Sequence, residues 1–349
     1  MARARNEAVE STSTPQPKEA VYIGSCKSLK KRTVTSENEL TVEGHKINLI
    51  NIERELWPGI TKADLIRYYL SIAEYILPQL RERPVGLNIC LNSPAKGGFF
   101  LRGMQGHAPS WAQIFLTDRK HKKKGKSDKI EWLVIKDKAM LLWAVNHDSI
   151  DIHPWSSRTS SPLNPDYIAV DLDPSDDDFK KVIETALAAK ELFDKHGLKS
   201  FIKTSGKTGM HLLIPCTDIK TAEAPIKGQK AETGQARRSV ETICNEIHEL
   251  VPNITTTTVS KSSRGDLLYV DPNQNDYADR LACVYCPRDH YVPTVSTPLE
   301  WKEVKPALDP GDFTIKTINE RLKKKGDLLE NLLNHKLRSS NANFLKTLL

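Results

Sequence analysis

The 349-residue sequence carries 51 basic and 44 acidic side chains, a formal net charge of +7, so its surface is mixed and leans positive. That balance permits a polyanionic partner gripped locally and falls short of the charge of a protein that only coats nucleic acid. The 39% of hydrophobic residues supply a sizeable core, whereas no run approaches ~18 apolar residues and the start Met1-Ala2-Arg3-Ala4-Arg5-Asn6 lacks the apolar segment of a secretory signal, so a cytoplasmic protein without a membrane partner is expected.

In chain order, residues 1–20 are rich in Ser, Thr, Pro, Glu and Gln and read as a disordered arm. Leu40-Thr41-Val42 and Ile47-Asn48-Leu49-Ile50 form a hairpin around Glu43-Gly44-His45. Thr61 caps a helix over 62–80, with Asp64 three residues on and Leu65, Tyr68, Tyr69, Ile72, Tyr75 and Ile76 at helical spacing. The basic run from Arg119 to Lys126 repels itself in any regular element and reads as an exposed loop, either merely solvated or touching a phosphate backbone.

Tyr167-Ile168-Ala169-Val170-Asp171-Leu172-Asp173-Pro174 reads as an apolar strand ending in two acids and a strand-stopping proline. Phe179, Val182, Ile183, Ala186, Ala189, Leu192 and Phe193 then mark a helix, with Asp176, Asp177 and Asp178 at its positive end and Gly197 at its stop. Two strands, 200–203 and 211–214, flank a glycine-containing turn. A helix over 235–250 and a strand ending at Asp271 follow, and the chain from Pro306 on is helical and charged. The division expected is an arm at 1–20, an N-terminal module at 21–130, a catalytic core at 131–305 and a helical segment at 306–349.

Six cysteines spread thinly over the chain point to reduced thiols. Cys283 and Cys286 with His290 have part of a zinc spacing, but structural zinc needs four ligands and no second pair exists, so the two read as strand residues.

Asp171 and Asp173 are two apart on a strand, so both point to one face and can hold one or two hard divalent ions together; an exposed strand end is the plainer alternative. Asp271, ending another strand, offers a third carboxylate, or simply opens a turn with Pro272 and Asn273. Ser205-Gly206-Lys207-Thr208-Gly209-Met210-His211 is not a P-loop, because Phe201 stands where its first glycine belongs. Its glycines nevertheless let backbone N–H groups approach phosphate oxygens, with Ser205, Lys207 and His211 as further donors; a plain hairpin turn is the alternative.

From about residue 51 to 301 the sequence resembles the primase-polymerase domain of bacterial DNA ligase D, an archaeo-eukaryotic primase superfamily member used in non-homologous end joining. The resemblance rests on His153-Pro154-Trp155, Asp171-Leu172-Asp173-Pro174, Lys203-Thr204-Ser205-Gly206 with Gly209 and His211, Asp271 with Gln274-Asn275, and Val295-Ser296-Thr297-Pro298-Leu299. It implies an α+β primase-polymerase fold, with an RRM-like antiparallel catalytic sheet flanked by helices and a smaller N-terminal α/β module. It also implies that Asp171, Asp173 and Asp271 hold two Mn²⁺ or Mg²⁺ ions. His153, Lys203, Ser205, Gly206, Lys207, Gly209, His211, Gln274 and Arg288 would meet an incoming NTP or dNTP. Arg54 and Lys62 would take a 5′-phosphate of gapped or broken DNA, at a helix N-terminus that suits an anion. Phe99 and Phe100 would stack on template bases, with core packing as their alternative role.

The sequence departs from the family pattern at Asn88-Ile89-Cys90, where a basic pair is usual, at Thr208, and in Cys283 and Cys286. The function implied is metal-dependent, template-directed gap filling at broken ends by a nucleoid-associated protein. Two rivals are a catalytically inactive end-binding module and a metal-dependent nuclease. No Lys-x-Asp-Gly is present, so Ku and a separate ligase are the expected partners.

Overall fold

A computed structural model of the chain describes residues 34–36, 39–119, 127–176, 178–222 and 234–348. The arm expected at 1–20, the basic run beyond Arg119 and Asp177 lie outside the described residues.

Period-two alternation gives the Tyr167–Asp173 strand two unlike faces. Ile168, Val170 and Leu172 point into one apolar core, and Tyr167 and Ala169 into another, which sets Asp171 and Asp173 on the second face. The strand is third in a six-stranded sheet ordered Thr255–Thr256, Leu268–Asp271, Tyr167–Asp173, Met210–Pro215, Phe201–Thr204, Pro298–Leu299. All neighbours run antiparallel except the first pair. Helices Phe179–Lys195 and Gln235–Leu250 cover the first face, where Val182, Ile183, Ala186, Phe193, Val240, Ile243 and Ile247 meet Ile168, Val170 and Leu172. Asp178 caps the first of these helices by accepting from Lys180 N. Gly197 ends it at φ +67°, and Leu198 N closes the turn on Phe193 O at 2.8 Å.

A second sheet is built on Pro84–Ile89, which pairs with Ser149–Pro154, Lys129–Val134 and Phe99–Leu101; Gln113–Asp118 extends it. It therefore takes strands from both sides of residue 130. Three findings correct the sequence reading here. The helix expected over 62–80 is two, Lys62–Ser71 and Ala73–Leu80, joined at Ile72, whose φ of −99° and ψ of 4° leave the helical region. The expected Thr61–Asp64 capping box is present. The hairpin turn is Glu43-Gly44 alone, both at positive φ as a two-residue type I′ turn requires, and His45 starts the next strand. Cys283 and Cys286 are not in a strand but in a buried turn, with Cys286 N donating to Cys283 O and Tyr285 at φ +64°.

Asp166, immediately before the central strand, fastens the parts together. Buried at 4% exposure, it accepts from the fully buried Arg83, from Arg158 Nε at 2.8 Å and from Arg338 Nη2 at 2.8 Å. These arginines come from the entry to the second sheet, the segment before the central strand, and the C-terminal helix His335–Thr347. Asp166→Ala strands Arg83 as a buried unpaired cation, so urea unfolding should show a loss of about 3–5 kcal/mol; a loss under about 1 kcal/mol would mean that Arg83 finds solvent or another partner.

Candidate active site

Cross-strand register assembles the site. Asp171 lies opposite Asp271 on one side and His211 on the other, and His211 lies opposite Lys203, so the four form a row across four strands. Asp173 stands opposite Tyr269, with Arg264 Nη1 3.5 Å from its Oδ2. Asp271 Oδ1 also accepts from Asn273 N at 2.7 Å, so this acid both faces the row and opens a turn.

The charges in the row shape one another. Burial first, then the carboxylates of Asp271 and Asp173, push the Asp171 carboxyl up to about 8, against the pull of Lys203 and Arg288. Burial likewise raises Asp271. Burial, together with Arg288, draws Lys203 down to about 7, and its Nζ lies 2.7 Å from His211 Nδ1 and 2.6 Å from Ser296 Oγ. Burial, then Lys203 and Arg288, hold His211 neutral, well below its usual range. When Lys203 carries its proton it can only donate, which makes Nδ1 the acceptor and leaves the imidazole proton on Nε2, 3.4 Å from Asp171 Oδ1.

Asp151, which the sequence reading missed, organises the neighbouring strand. Fully buried, it places Oδ1 3.1 Å from His153 Nε2 and accepts from Arg288 Nε on Oδ2 at 2.8 Å. Burial alone would raise its pKa, but the charges and hydrogen bonds of His153 and Arg288 outweigh that and hold it at about 2. Arg288 Nη1 reaches on to Ser205 O at 2.5 Å. The available signal was local: Asp151 and His153 are polar residues two apart on a strand, alternating with the apolar Ile150 and Ile152.

The glycine turn is tightly built. Ser205 Oγ accepts from Lys207 N and Gly209 N, both at 3.1 Å. A Cβ at Gly209 would lie 2.1 Å from Leu172 O, and one at Gly206, where φ is +79°, would lie 2.6 Å from Arg288 Cγ. Lys207 Nζ is held by Asp289 Oδ1 at 2.5 Å.

Asp171, His211, His153, Arg288, Gln274 and Phe100 line one cleft of about 350 Å³. Lys203 is buried at 2% exposure and Arg288 is mostly buried, so neither is a solvated surface charge. Phe99 and Phe100 are 51% and 41% exposed, which excludes core packing as their role. Arg54 Nη2 and Lys62 Nζ converge on Asp148 Oδ1, each at 2.7 Å, rather than on this cleft.

Among the described residues no group of three or more His, Cys, Asp or Glu side chains stands ready to hold a metal ion by itself. The donor set nevertheless suits a hard divalent cation: oxygen-only carboxylates on adjacent register positions whose mutual repulsion raises Asp171. Mg²⁺ in particular is usually held by one or two carboxylates together with substrate phosphates and water, so an open group of acids fits it.

A helix-backed, mostly antiparallel sheet with acids in register and a glycine turn beside one cleft is the arrangement of a nucleotidyltransferase-type core. Residues 61–329 match the family model described as the LigD primase-polymerase domain, and the chain belongs to that family. It is 32% identical over 268 residues to the bifunctional non-homologous end joining protein LigD of Bacillus subtilis, covering 76% of this chain and 40% of that protein. It is 28% identical over 291 residues to the multifunctional LigD of Mycolicibacterium smegmatis, covering 81% of this chain and 36% of that one. The chain thus spans about two fifths of the length of these relatives. The polymerase domain of Mycobacterium tuberculosis ligase D, solved in complex with DNA, aligns with a TM-score of 0.69 at 26% identity, over 83% of this chain and 98% of that one. No helix among the described residues is long and apolar enough to cross a membrane.

The Asp151 carboxylate, with its folded pKa held below the unfolded value, contributes stability that is present above about pH 4 and lost as pH falls through about 2. Asp151→Asn should therefore cost about 2 kcal/mol at neutral pH. Urea titrations at stepped pH should show that gap closing between about pH 4 and pH 2; a gap that stays constant would assign the loss to packing instead.

Proposed function

We propose that the chain is a metal-dependent, template-directed nucleotidyltransferase that fills gaps and extends ends at DNA breaks in non-homologous end joining. The observation that carries this reading is the cross-strand row Asp271, Asp171, His211, Lys203, which ends two residues before the Ser205–Gly209 turn and presents Asp171 and His211 to one cleft.

Asp171, Asp173 and Asp271 are assigned as the carboxylates for Mn²⁺ or Mg²⁺. Two such ions supply Lewis acidity to the attacking primer oxygen and the leaving phosphate oxygen. The protein's own groups do the rest. Ser205, whose Oγ already accepts two backbone N–H groups, has its hydroxyl proton left to donate to a phosphate oxygen. Arg288, fixed by Asp151, and Lys207 supply positive charge to the triphosphate of an NTP or dNTP, and Gln274 contacts the same nucleotide. His211 offers its Nε2 proton toward Asp171, and Lys203 fixes that tautomer from behind. His153 shapes the pocket edge against Phe100, its ring centre 4.6 Å away.

Phe99 and Phe100 are assigned to template bases, and Arg54 and Lys62 to the 5′-phosphate of the broken strand. These 349 residues hold no Lys-x-Asp-Gly, so nick sealing is assigned to a ligase module outside this sequence, with Ku as end-binding partner.

Primer extension with each nucleotide type and each metal tests this. Asp171→Ala should lower incorporation by roughly 10³-fold while DNA affinity stays within about twofold, and Ser205→Ala should raise the nucleotide KM by about tenfold. Wild-type protein that binds broken ends yet adds no nucleotide would establish the end-binding module in its place, and shortening of the primer would establish a nuclease.

A further inference from the structure

The Phe100 end of the cleft carries positive charge that none of these assignments uses. Arg280 holds its guanidinium 5.4 Å from the ring centres of both Phe100 and Trp132. Its side chain lies against Gly86, where an added Cβ would stand 3.0 Å from Arg280 Cδ and 2.6 Å from the Phe100 ring. Glycine at that position is what lets the Pro84–Ile89 strand seat both side chains.

Arg280 Nη1 donates to Ala278 O at 2.8 Å, while Nε is buried with no hydrogen-bond partner. Arg102 lines the same cleft. Neither arginine forms an ion pair among the described residues. Burial first, and then the Arg102 charge, pull Arg280 down to about 10, with only Asp279 opposing them. The two guanidiniums line one cleft and the Arg102 charge acts on Arg280, and an anion relieves that repulsion.

We infer that Arg280 and Arg102 form a phosphodiester subsite for single-stranded template, next to a base stacked on Phe100. The inference rests on the template-directed reading above and adds a contact to it. Single-stranded nucleic acid alternates flat bases with phosphates, and the half-exposed Phe100 ring in a cleft with two guanidiniums repeats that alternation. The nucleotide's own phosphates have a separate set of donors in Ser205, Lys207 and Arg288. Arg280 is held in place by Trp132 on the side away from the open cleft, so it loses little freedom on binding.

The test is fluorescence anisotropy on the full chain with a labelled primer–template carrying a single-stranded template overhang, and with a blunt duplex, from about 50 to about 200 mM salt. Arg280→Gln should weaken overhang binding roughly tenfold and flatten the salt slope by about 1. Blunt-duplex affinity and nucleotide KM should stay within about twofold of wild type. Arg280→Lys should recover most of the overhang affinity. Arg102→Gln, at an exposed position that folding does not need, should repeat the loss if Arg280→Gln proves unstable. A raised nucleotide KM with unchanged overhang binding would move the subsite to the triphosphate, and no change in either variant would leave Arg280 a packing residue; both outcomes overturn the inference. Wild type that fails to extend the primer would sink the polymerase reading alone, since the overhang contrast is measured without nucleotide.

Discussion

In an antiparallel ladder the side-chain period is two, so a slip of one residue would turn Asp171 and Asp173 into the helix-covered core and bring Leu172 to the cleft. Pairing of Asp171 with Asp271 and His211 thus depends on a register that must not move. Ile168, Val170 and Leu172 fix it from the buried side. A second restraint acts where the ladder runs out: the Leu268–Asp271 strand pairs only with residues 171 to 173, leaving Ala169 without a strand on that side, although it pairs with Leu213 on the other. Asn275 fills that place with its side-chain amide, accepting from Ala169 N at 2.8 Å and donating to Ala169 O at 2.7 Å. A buried peptide group is satisfied and the strand is pinned two residues before its first acid.

The electrostatics of the cleft follow from that geometry. Reading along the row, two acids stand beside a neutral imidazole and then a buried lysine, so the field changes sign within four strands. Arg288 would be costly to hold mostly buried with no counter-charge, and Asp151 supplies one from the other sheet. The same pair ties the second sheet to the glycine turn, because Arg288 also holds Ser205 O. Cleft geometry and core packing are therefore linked through one ion pair. Donors already fixed by their own partners give up little freedom when an anion arrives, the condition for stabilising charge that develops during a reaction.

Much of this was legible in the sequence because the signals are local. The helix Phe179–Lys195 and its glycine stop follow from 3.6-residue spacing, and an apolar run ending Asp-Leu-Asp-Pro announces acids at a strand end. What stayed hidden depends on partners far away in the chain. Asp151 meets Arg288 across 137 residues, and no local pattern reports that distance. The break at Ile72 is a change of backbone angles at one apolar residue, which apolar spacing alone does not register. Cys283 and Cys286 seemed strand-like because they are apolar and buried, yet burial is common to strands and to turns beneath a sheet.

Charge accounting separates the two basic clusters that could meet a phosphate outside the nucleotide's reach. Lys62 is buried to 1% exposure and could not stay charged alone, and burial does lower its pKa. Asp148, held at φ +67° in the turn before the Ser149–Pro154 strand, puts one carboxylate oxygen between Lys62 and Arg54. That trio therefore carries one net positive charge, and an anion approaching Arg54 and Lys62 must share them with a carboxylate already in contact. Arg280 and Arg102 form no ion pair among the described residues, and only Asp279 opposes the Arg102 charge acting on Arg280. The first cluster is balanced for folding and the second is left unbalanced by it. An uncompensated pair beside exposed rings is the arrangement in which a nucleic acid backbone gains most and the empty protein gains least.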